Sequence, residues 1–380
     1  MTWSAADSAC MARALELAAR GRFTTHPNPR VGCVIARDGA ILGCGWHRRA
    51  GAPHAEINAL RDAGGDLRGA TVYVTLEPCA HQGRTPPCTA ALIQAGVSRV
   101  VAAVRDPNPQ VAGAGLSALR DAGIKVETGL MEQAATALNK GFFSRMTRAR
   151  PYLRAKSAIS LDGKTALAGG ESRWITGAAS RHDVQALRAA SSAVMTGINT
   201  VLADDPRLNV RACDTGGRQP LRIVLDRSLR FPAAARMLSL DGATIVFTRN
   251  GDERRCGELA RAGAEVRFVA GGKDEFLDNV LRALARDHEV NDLLLEAGAT
   301  LTGSLLQHGL IDELVVYQAP VILGCTAVGM AALPTLARMD QRQELELVDY
   351  QRLEEDWKFI YKVTSKNALR GLFRHGNEKV

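Results

Sequence analysis

Two short stretches hold residues able to do chemistry: PHAEI at 53–57 and LEPCAHQGRTPPC at 76–88, which supply His54, Glu56, Cys79, His81 and Cys88. His54 follows Pro53, the favoured first residue of a helix, and Glu56 lies two residues further on, so both belong to one first turn. Cys79 comes just after an apolar strand and Pro78. Cys88 comes after Pro86 and Pro87 at the start of the next helical pattern, where the helix dipole and a metal both stabilise a thiolate. One histidine and two cysteines make the open zinc set, with water in the fourth position. A closed, structural site would need a fourth side chain. His81 is the nearby candidate, although a single residue between it and Cys79 demands a tight chelate.

In an open site, zinc lowers the pKa of its bound water from about 15.7 to about 7, so a nucleophile is available at neutral pH. Attack on an amino-bearing ring carbon then needs a proton moved from the water to the ring nitrogen and on to departing ammonia. A carboxylate beside the ion can carry it, and Glu56 is the candidate. His-x-Glu with a later Pro-Cys and a second Cys is the signature of zinc deaminases, in which two residues separate the cysteines. Here eight do; Gln82 stands at the usual position and binds no zinc, so Cys88 completes the set. The insert AHQGRTPP loops out over the site. It either offers His81, Arg84 and Thr85 to a substrate phosphate or ribose, or stands as a solvated loop ordered by its prolines. Cys33 and Cys44 read as small buried hydrophobes.

The elements that must position these residues alternate. A helix over about 5–19 leads to a hairpin turning at Asp38 and Gly39. Then follow a helix from near Pro53, a strand at TVYVTL (71–76), a helix from Cys88 to Ala95, a strand at RVVAAV (99–104), and a further helix and strand ending at Glu127. Such alternation predicts a mostly parallel sheet covered on both faces. After the basic RMTRAR segment (145–150), Pro151 and a fresh strand at 152–160 predict a boundary near 148. The second half has strand patterns at 221–226, 243–248, 265–270, 292–297 and 313–323 with helices between, which predicts a second α/β domain over 149–365 and a basic tail over 366–380.

That half has neither a GxGxxG after a strand nor a Walker lysine. It has LLLEAGATLTGSLL, a strand ending in Glu296 and Ala297 followed by Gly298 to Ser304 opening an apolar helix. Small residues there let backbone amides approach a pyrophosphate, with Gly298 supplying close approach and a positive φ; the plainer alternative is an ordinary strand-to-helix turn. Lys156, in an apolar strand, is either a snorkelling surface residue or a contact for a phosphate or sugar hydroxyl.

With 380 residues, 46% of them hydrophobic and 23% charged, the chain can bury two cores without staples and has no apolar run long enough to span a membrane. Eight scattered cysteines are expected to be reduced, and the absence of an apolar leader predicts a cytoplasmic protein. The net charge of +8 is spread among acids and the aromatic content is 5%, so phosphorylated metabolites are expected rather than nucleic acid. The rival reading is a zinc-dependent nucleic-acid base deaminase with a basic RNA-binding second domain, which needs a basic or aromatic stripe that the sequence does not display.

HPNPRVGCVI, PHAEINAL, TLEPCAHQGRTPPC and DPNPQVAGAG, with KSAISLDGKTA, ESRWITG, VLADDPRLNVR and LLLEAGATLTGSLL, strongly resemble the bifunctional deaminase/reductase family of riboflavin biosynthesis over residues 8 to 363. The long insert between the cysteines is that family's form. The resemblance implies an N-terminal three-layer α/β/α cytidine-deaminase-like domain and a dihydrofolate-reductase-like α/β domain. It implies zinc on His54, Cys79 and Cys88, Glu56 as proton shuttle, and Asn28 on the pyrimidine edge. The substrate would be a diaminopyrimidinone ribosylamino 5′-phosphate, deaminated at its 2-position, after which NADPH reduces the ribosyl group to ribityl. Cofactor contacts are implied at Ala158, Trp174, Thr200, Asp204 and the run Gly298, Ala299, Thr300, Leu301, Thr302, Gly303 and Ser304. Substrate contacts are implied at Lys156, Ser172, Arg188, Leu208, Arg211 and Glu296. The expected partners are phosphorylated pyrimidine ribotides, with no nucleic acid and no membrane, and a homo-oligomer is compatible with the pattern.

Overall fold

The computed structural model of the chain describes residues 2–80, 87–109, 111–272 and 275–364. His81, Gln82, Arg84 and Thr85 of the insert, and the tail after Lys366, lie outside the described residues. The chain divides into two compact units, Met1–Arg150 and Pro151–Val380.

The first unit runs α1 (Ala5–Ala19), β1 (Gly32–Arg37), β2 (Ala40–Trp46), α2 (Ala55–Ala63), β3 (Thr71–Val74), α3 (Cys88–Gln94), β4 (Arg99–Ala102), α4 (Ala114–Asp121), β5 (Lys125–Thr128), α5 (Glu132–Leu138) and α6 (Lys140–Arg148). Ser4 starts α1 by accepting from Asp7 N through its hydroxyl while the Asp7 carboxylate accepts from Ser4 N, a capping box. Asp38 and Gly39 both adopt positive φ (51° and 81°), the conformation a two-residue hairpin turn requires. The sheet order is β2-β1-β3-β4-β5. β3, β4 and β5 are parallel, while β1 is antiparallel to both neighbours. The unit is thus less uniformly parallel than the helix and strand alternation predicts, because the hairpin supplies its edge.

One face of this sheet packs on α2, α3 and α4 through Ala59, Leu92, Leu116 and Leu119; the other packs on α1, α5 and α6 through Met11, Leu17, Ala135 and Phe142. Two glycines decide how closely α2 approaches. A Cβ built on Gly45 would lie 2.3 Å from Ala55 O and 2.3 Å from Ala59 N, and one on Gly43 would lie 2.5 Å from Ala59 O. Helix backbone therefore rests directly on β2, and this fixes where the first turn of α2 stands.

The second unit runs β6 (Tyr152–Ile159), β7 (Lys164–Ala166), α7 (Ala178–Ala190), β8 (Ala193–Gly197), α8 (Ile198–Asp204), β9 (Leu221–Leu225), β10 (Thr244–Thr248), α9 (Glu253–Arg261), β11 (Ala264–Phe268), α10 (Phe276–Asp287), β12 (Asp292–Leu295), α11 (Ala299–Gln307), β13 (Glu313–Gln318), β14 (Val328–Gly329), β15 (Leu345–Leu353) and β16 (Asp356–Val363). Its large sheet has the order β11-β10-β9-β8-β12-β6-β13-β16-β15. From β11 to β13 neighbours are parallel; β16 and β15 add an antiparallel hairpin at one edge. The strand pattern at 313–323 stops at Gln318, ahead of Pro320. From β8 the chain goes on to β9 on one side, and from β12 it goes on to β13 on the other. A crevice therefore opens at the carboxyl ends of these two adjacent strands, the usual ligand position in such sheets. No helix among the described residues is long and apolar enough to cross a membrane.

Gly45→Ala should cost about 2–3 kcal/mol, because helix backbone rather than a yielding side chain meets the new methyl group. Chemical unfolding of the full chain measures this, and a loss below about 0.5 kcal/mol would show that α2 does not depend on the contact.

Candidate metal and cofactor sites

His54 is the N-cap of α2, held in extended conformation, and its side chain makes no capping bond, so the ring is free to turn toward the cysteines. Its Nδ1 lies 3.6 Å from Cys79 Sγ and 3.3 Å from Cys88 Sγ. Cys88 opens α3 after Pro87, and its backbone N–H donates to Cys79 Sγ at 3.4 Å. Thr89 N donates to Cys79 O at 3.2 Å, which ties the two cysteine segments together.

The three donor atoms lie within 4.8 Å of one another, and among the described residues no other such trio occurs. A tetrahedral zinc with bonds of about 2.0–2.3 Å sets neighbouring donors roughly 3.5–3.8 Å apart, so this set fits the ion. The bond from Cys88 and the adjacent His54 ring hold the Cys79 thiol down to about 4, while Cys79 and burial push Cys88 up.

Glu56 is 3% exposed on the first turn of α2, and burial raises its carboxyl above the ordinary range. Asn28 Nδ2 lies 3.1 Å from His47 Nε2, and the His47 ring meets His54 edge-on with centroids 5.4 Å apart. His47 Nδ1 lies 3.3 Å from Pro53 O, the carbonyl next to His54. The structure thus joins Asn28 to the metal trio through His47, a residue that the sequence reading passed over at the end of GCGWH.

In the second unit, Arg188 of α7 grips Glu296, just beyond β12, with two parallel bonds: Nε to Oε1 at 2.6 Å and Nη2 to Oε2 at 2.9 Å. Burial works against the Glu296 charge, but Arg188, Lys156 and Arg211 together hold the carboxyl below its ordinary range. Burial lowers Lys156, opposed by Glu296 and reinforced by Arg188. The Lys156 Nζ also stands 6.0 Å from the Tyr317 ring centre, within cation–π reach, and Tyr317 Oη donates to Asp183 at 2.5 Å. Arg211 is lowered by burial and then by Arg188 and Arg207. Its backbone N donates to Gln185 Oε1 at 3.0 Å. Leu208 is buried with φ 50°, and Ser172 is half-buried.

The crevice encloses about 700 Å³ and is lined by the ends of β8, β9 and β12 and the opening of α11, including Thr200, Gly298, Ala299, Thr300, Leu301 and Ser304. Thr302 and Gly303 turn away into the core: Thr302 Oγ1 reaches Ala297 O at 3.5 Å, and a Cβ on Gly303 would lie 2.1 Å from Ala332 O. Ala158 lies on β6 opposite Tyr317. Trp174 is 70% exposed under the Arg181 guanidinium, 4.6 Å from the ring centre, and Asp204 accepts from Arg173. The expected positive φ at Gly298 is wrong: φ is −73° there, and an added Cβ would meet nothing within 4 Å. Its value lies in the open space above α11, not in backbone freedom. Sequence reading also missed Arg227, Ser228 and Arg230, which line the same crevice; their signal was the turn immediately after LRIVLD. Asn199 Oδ1 accepts from Arg230 Nη2 at 2.8 Å.

Comparison with known proteins agrees with the two-site layout. Residues 4–104 match the cytidine and deoxycytidylate deaminase zinc-binding region, and residues 151–359 match the RibD C-terminal domain. The riboflavin biosynthesis protein RibD of Escherichia coli is 48% identical over 361 residues, covering 92% of this chain and 97% of that one. A RibD structure from Acinetobacter baumannii superposes with TM-score 0.88 at 46% identity, covering 94% and 99% of the two chains. A diaminohydroxyphosphoribosylaminopyrimidine deaminase/5-amino-6-(5-phosphoribosylamino)uracil reductase from Thermotoga maritima superposes with TM-score 0.83 at 33% identity, also covering 94% and 99%. In these relatives a cytidine-deaminase-like domain precedes a reductase domain of dihydrofolate-reductase-like fold, and this chain has both.

Proposed function

Since the chain belongs to the RibD family and is a bifunctional deaminase and reductase of riboflavin biosynthesis, we propose that its two sites act in turn on one phosphorylated pyrimidine ribotide. The first substrate in this reading is 2,5-diamino-6-ribosylamino-4(3H)-pyrimidinone 5′-phosphate. The product of the first site, 5-amino-6-(5-phosphoribosylamino)uracil, is the substrate of the second. The observation that carries the reading is the trio His54, Cys79 and Cys88 with the buried Glu56 beside it, in one chain with a crevice that suits a dinucleotide.

His54, Cys79 and Cys88 would hold zinc, which when bound supplies a hydroxide nucleophile at neutral pH. Asn28, steadied by His47, orients the pyrimidine edge. Glu56 takes the proton from the attacking water, places it on the ring nitrogen and passes a proton to the departing amine, so that C–NH2 and water become C=O and ammonia.

In the second site, a nicotinamide cofactor held at the opening of α11 would, when bound, supply the hydride that the ribosyl anomeric carbon needs. Opening of the sugar ring breaks a C–O bond, and the freed oxygen needs one proton. Lys156 holds it, with Glu296 and its Arg188 fork fixing the charge beside it. Arg211 provides a cation for the substrate phosphate, since the Arg188 guanidinium is already engaged by Glu296 and Asn209 O. The pyrophosphate of the cofactor would lie on the opening of α11, where Gly298 leaves room for it. Arg227, Ser228 and Arg230 at the same crevice favour a cofactor with a 2′-phosphate, hence NADPH rather than NADH. A cytoplasmic location belongs to this reading, because charged ribotides and NADPH stay in the compartment where they are made.

Glu56→Gln removes the proton carrier but no ligand, so zinc content should be unchanged while ammonia release falls at least about 100-fold. Metal analysis beside an ammonia assay measures both, and near wild-type deamination would overturn the assignment. Replacing Arg227 and Arg230 together by alanine should reduce the NADPH-to-NADH ratio of kcat/KM by about 10–100-fold, the worth of one or two hydrogen bonds to a charged group. An unchanged ratio would move the 2′-phosphate elsewhere.

A further inference from the structure

The Cys79 arm of the metal site hangs from a residue that the chemistry above does not use. Glu77 is 4% exposed, and its carboxylate accepts four backbone N–H groups. Oε2 takes Asp106 N (3.1 Å) and Gly113 N (3.0 Å), and Oε1 takes Gly115 N (2.9 Å) and Leu116 N (3.3 Å). Gly113 is the N-cap of α4, and Gly115 and Leu116 belong to its first turn. A glycine N-cap brings no side-chain acceptor, so Glu77 caps the helix from another part of the chain, with its charge at the positive end of the helix dipole.

The grip is held at both ends. Glu77 N donates to Val104 O at 2.9 Å, which anchors the backbone to the extension of β4. On the helix side, a Cβ on Gly115 would lie 1.9 Å from Pro78 O, so α4 rests directly on the residue between Glu77 and Cys79. Beyond it, Cys79 O takes Thr89 N at 3.2 Å and Thr89 Oγ1 at 3.3 Å. Little slack is left between a capped helix and a sulfur.

We propose that Glu77 is a positioning residue of the deaminase: by capping α4 it sets the Pro78–Cys79 segment so that the Cys79 sulfur meets the His54 and Cys88 donors and zinc is retained. The inference rests on the assignment of Cys79 as a zinc ligand. A carboxylate is needed because each oxygen meets two donors. An amide would turn its NH2 toward two N–H groups and leave them unsatisfied, and aspartate is one methylene short.

The test follows zinc retention by the full chain under chelator competition in wild type, Glu77→Gln, Gly115→Ala and Cys79→Ser, with cooperative thermal unfolding of the chelated protein as the check that the first unit is folded and NADPH oxidation on the deaminated ribotide as the check on the second. Gly115→Ala pushes on Pro78 while leaving the carboxylate in place. Both it and Glu77→Gln should weaken zinc retention about 10–100-fold, the usual effect of losing a group that orients a ligand. Their loss of thermal stability should be larger in zinc-loaded than in chelated protein. Wild-type zinc retention in both variants while Cys79→Ser has lost the metal would overturn the inference alone, as would a stability loss equal with and without zinc, since the cap would then serve only the fold. Zinc retained by Cys79→Ser would instead remove the ligand assignment, and the inference with it.

Discussion

Three donor atoms carried by three separate stretches of backbone must come within 4.8 Å of one another, and most of the first unit can be derived from that demand. Each donor stands where a strand or loop gives way to the next element: His54 at the N-cap of α2, Cys79 after β3, and Cys88 at the opening of α3. Flexible placement would cost ordering free energy whenever metal bound. The fold limits that cost by bringing backbone directly onto backbone, α2 on Gly43 and Gly45 and α4 on Pro78.

The second unit meets a different constraint, that of keeping charges inside a protein. Glu296 and Arg188 are largely withdrawn from water, which is tolerable because their two parallel bonds satisfy both ends of the pair. Lys156 shares that environment. On its other side stands Tyr317, whose hydroxyl is given to Asp183, which also takes Lys358 Nζ at 2.5 Å. Helix α7 carries both Asp183 and Arg188, so one element closes two charge networks on either side of the same lysine. The crevice beside them arises from strand order alone, since the chain runs on from β8 and β12 toward opposite sides.

The metal trio was legible because its residue types are rare and each is announced by a proline or by the end of an apolar strand. The hairpin at Asp38 and Gly39 was legible for a similar local reason. What escaped was long-range. Nothing near Glu77 in sequence shows that its carboxylate will meet Asp106, Gly113, Gly115 and Leu116. Arg227 and Arg230 follow a strand like many surface arginines, and only the strand order brings them to the crevice of α11. β8 escaped because AVMTG is a five-residue run directly after a helix of similar composition. The edge hairpin of β15 and β16 did carry a signal, the alternating Trp357, Phe359 and Tyr361, whose rings run along one face. Gly298 shows the reverse error: glycine suggested an unusual φ, whereas the structure uses the missing side chain and an ordinary backbone.

If one chain deaminates first, at zinc, and reduces second, without it, its two activities must respond differently to loss of the metal. The most direct measurement gives the purified protein the diaminopyrimidinone ribotide and NADPH, and follows ammonia and NADPH together, with and without prior removal of zinc by a chelator. Ammonia should lead NADPH oxidation in the zinc-loaded enzyme. Neither should occur on this substrate once zinc is gone, and NADPH oxidation should return when the deaminated ribotide is added to the same zinc-free sample. NADPH consumption on the diaminopyrimidinone with no ammonia released, or a reductase that fails on the deaminated ribotide unless zinc is restored, would contradict this division of labour.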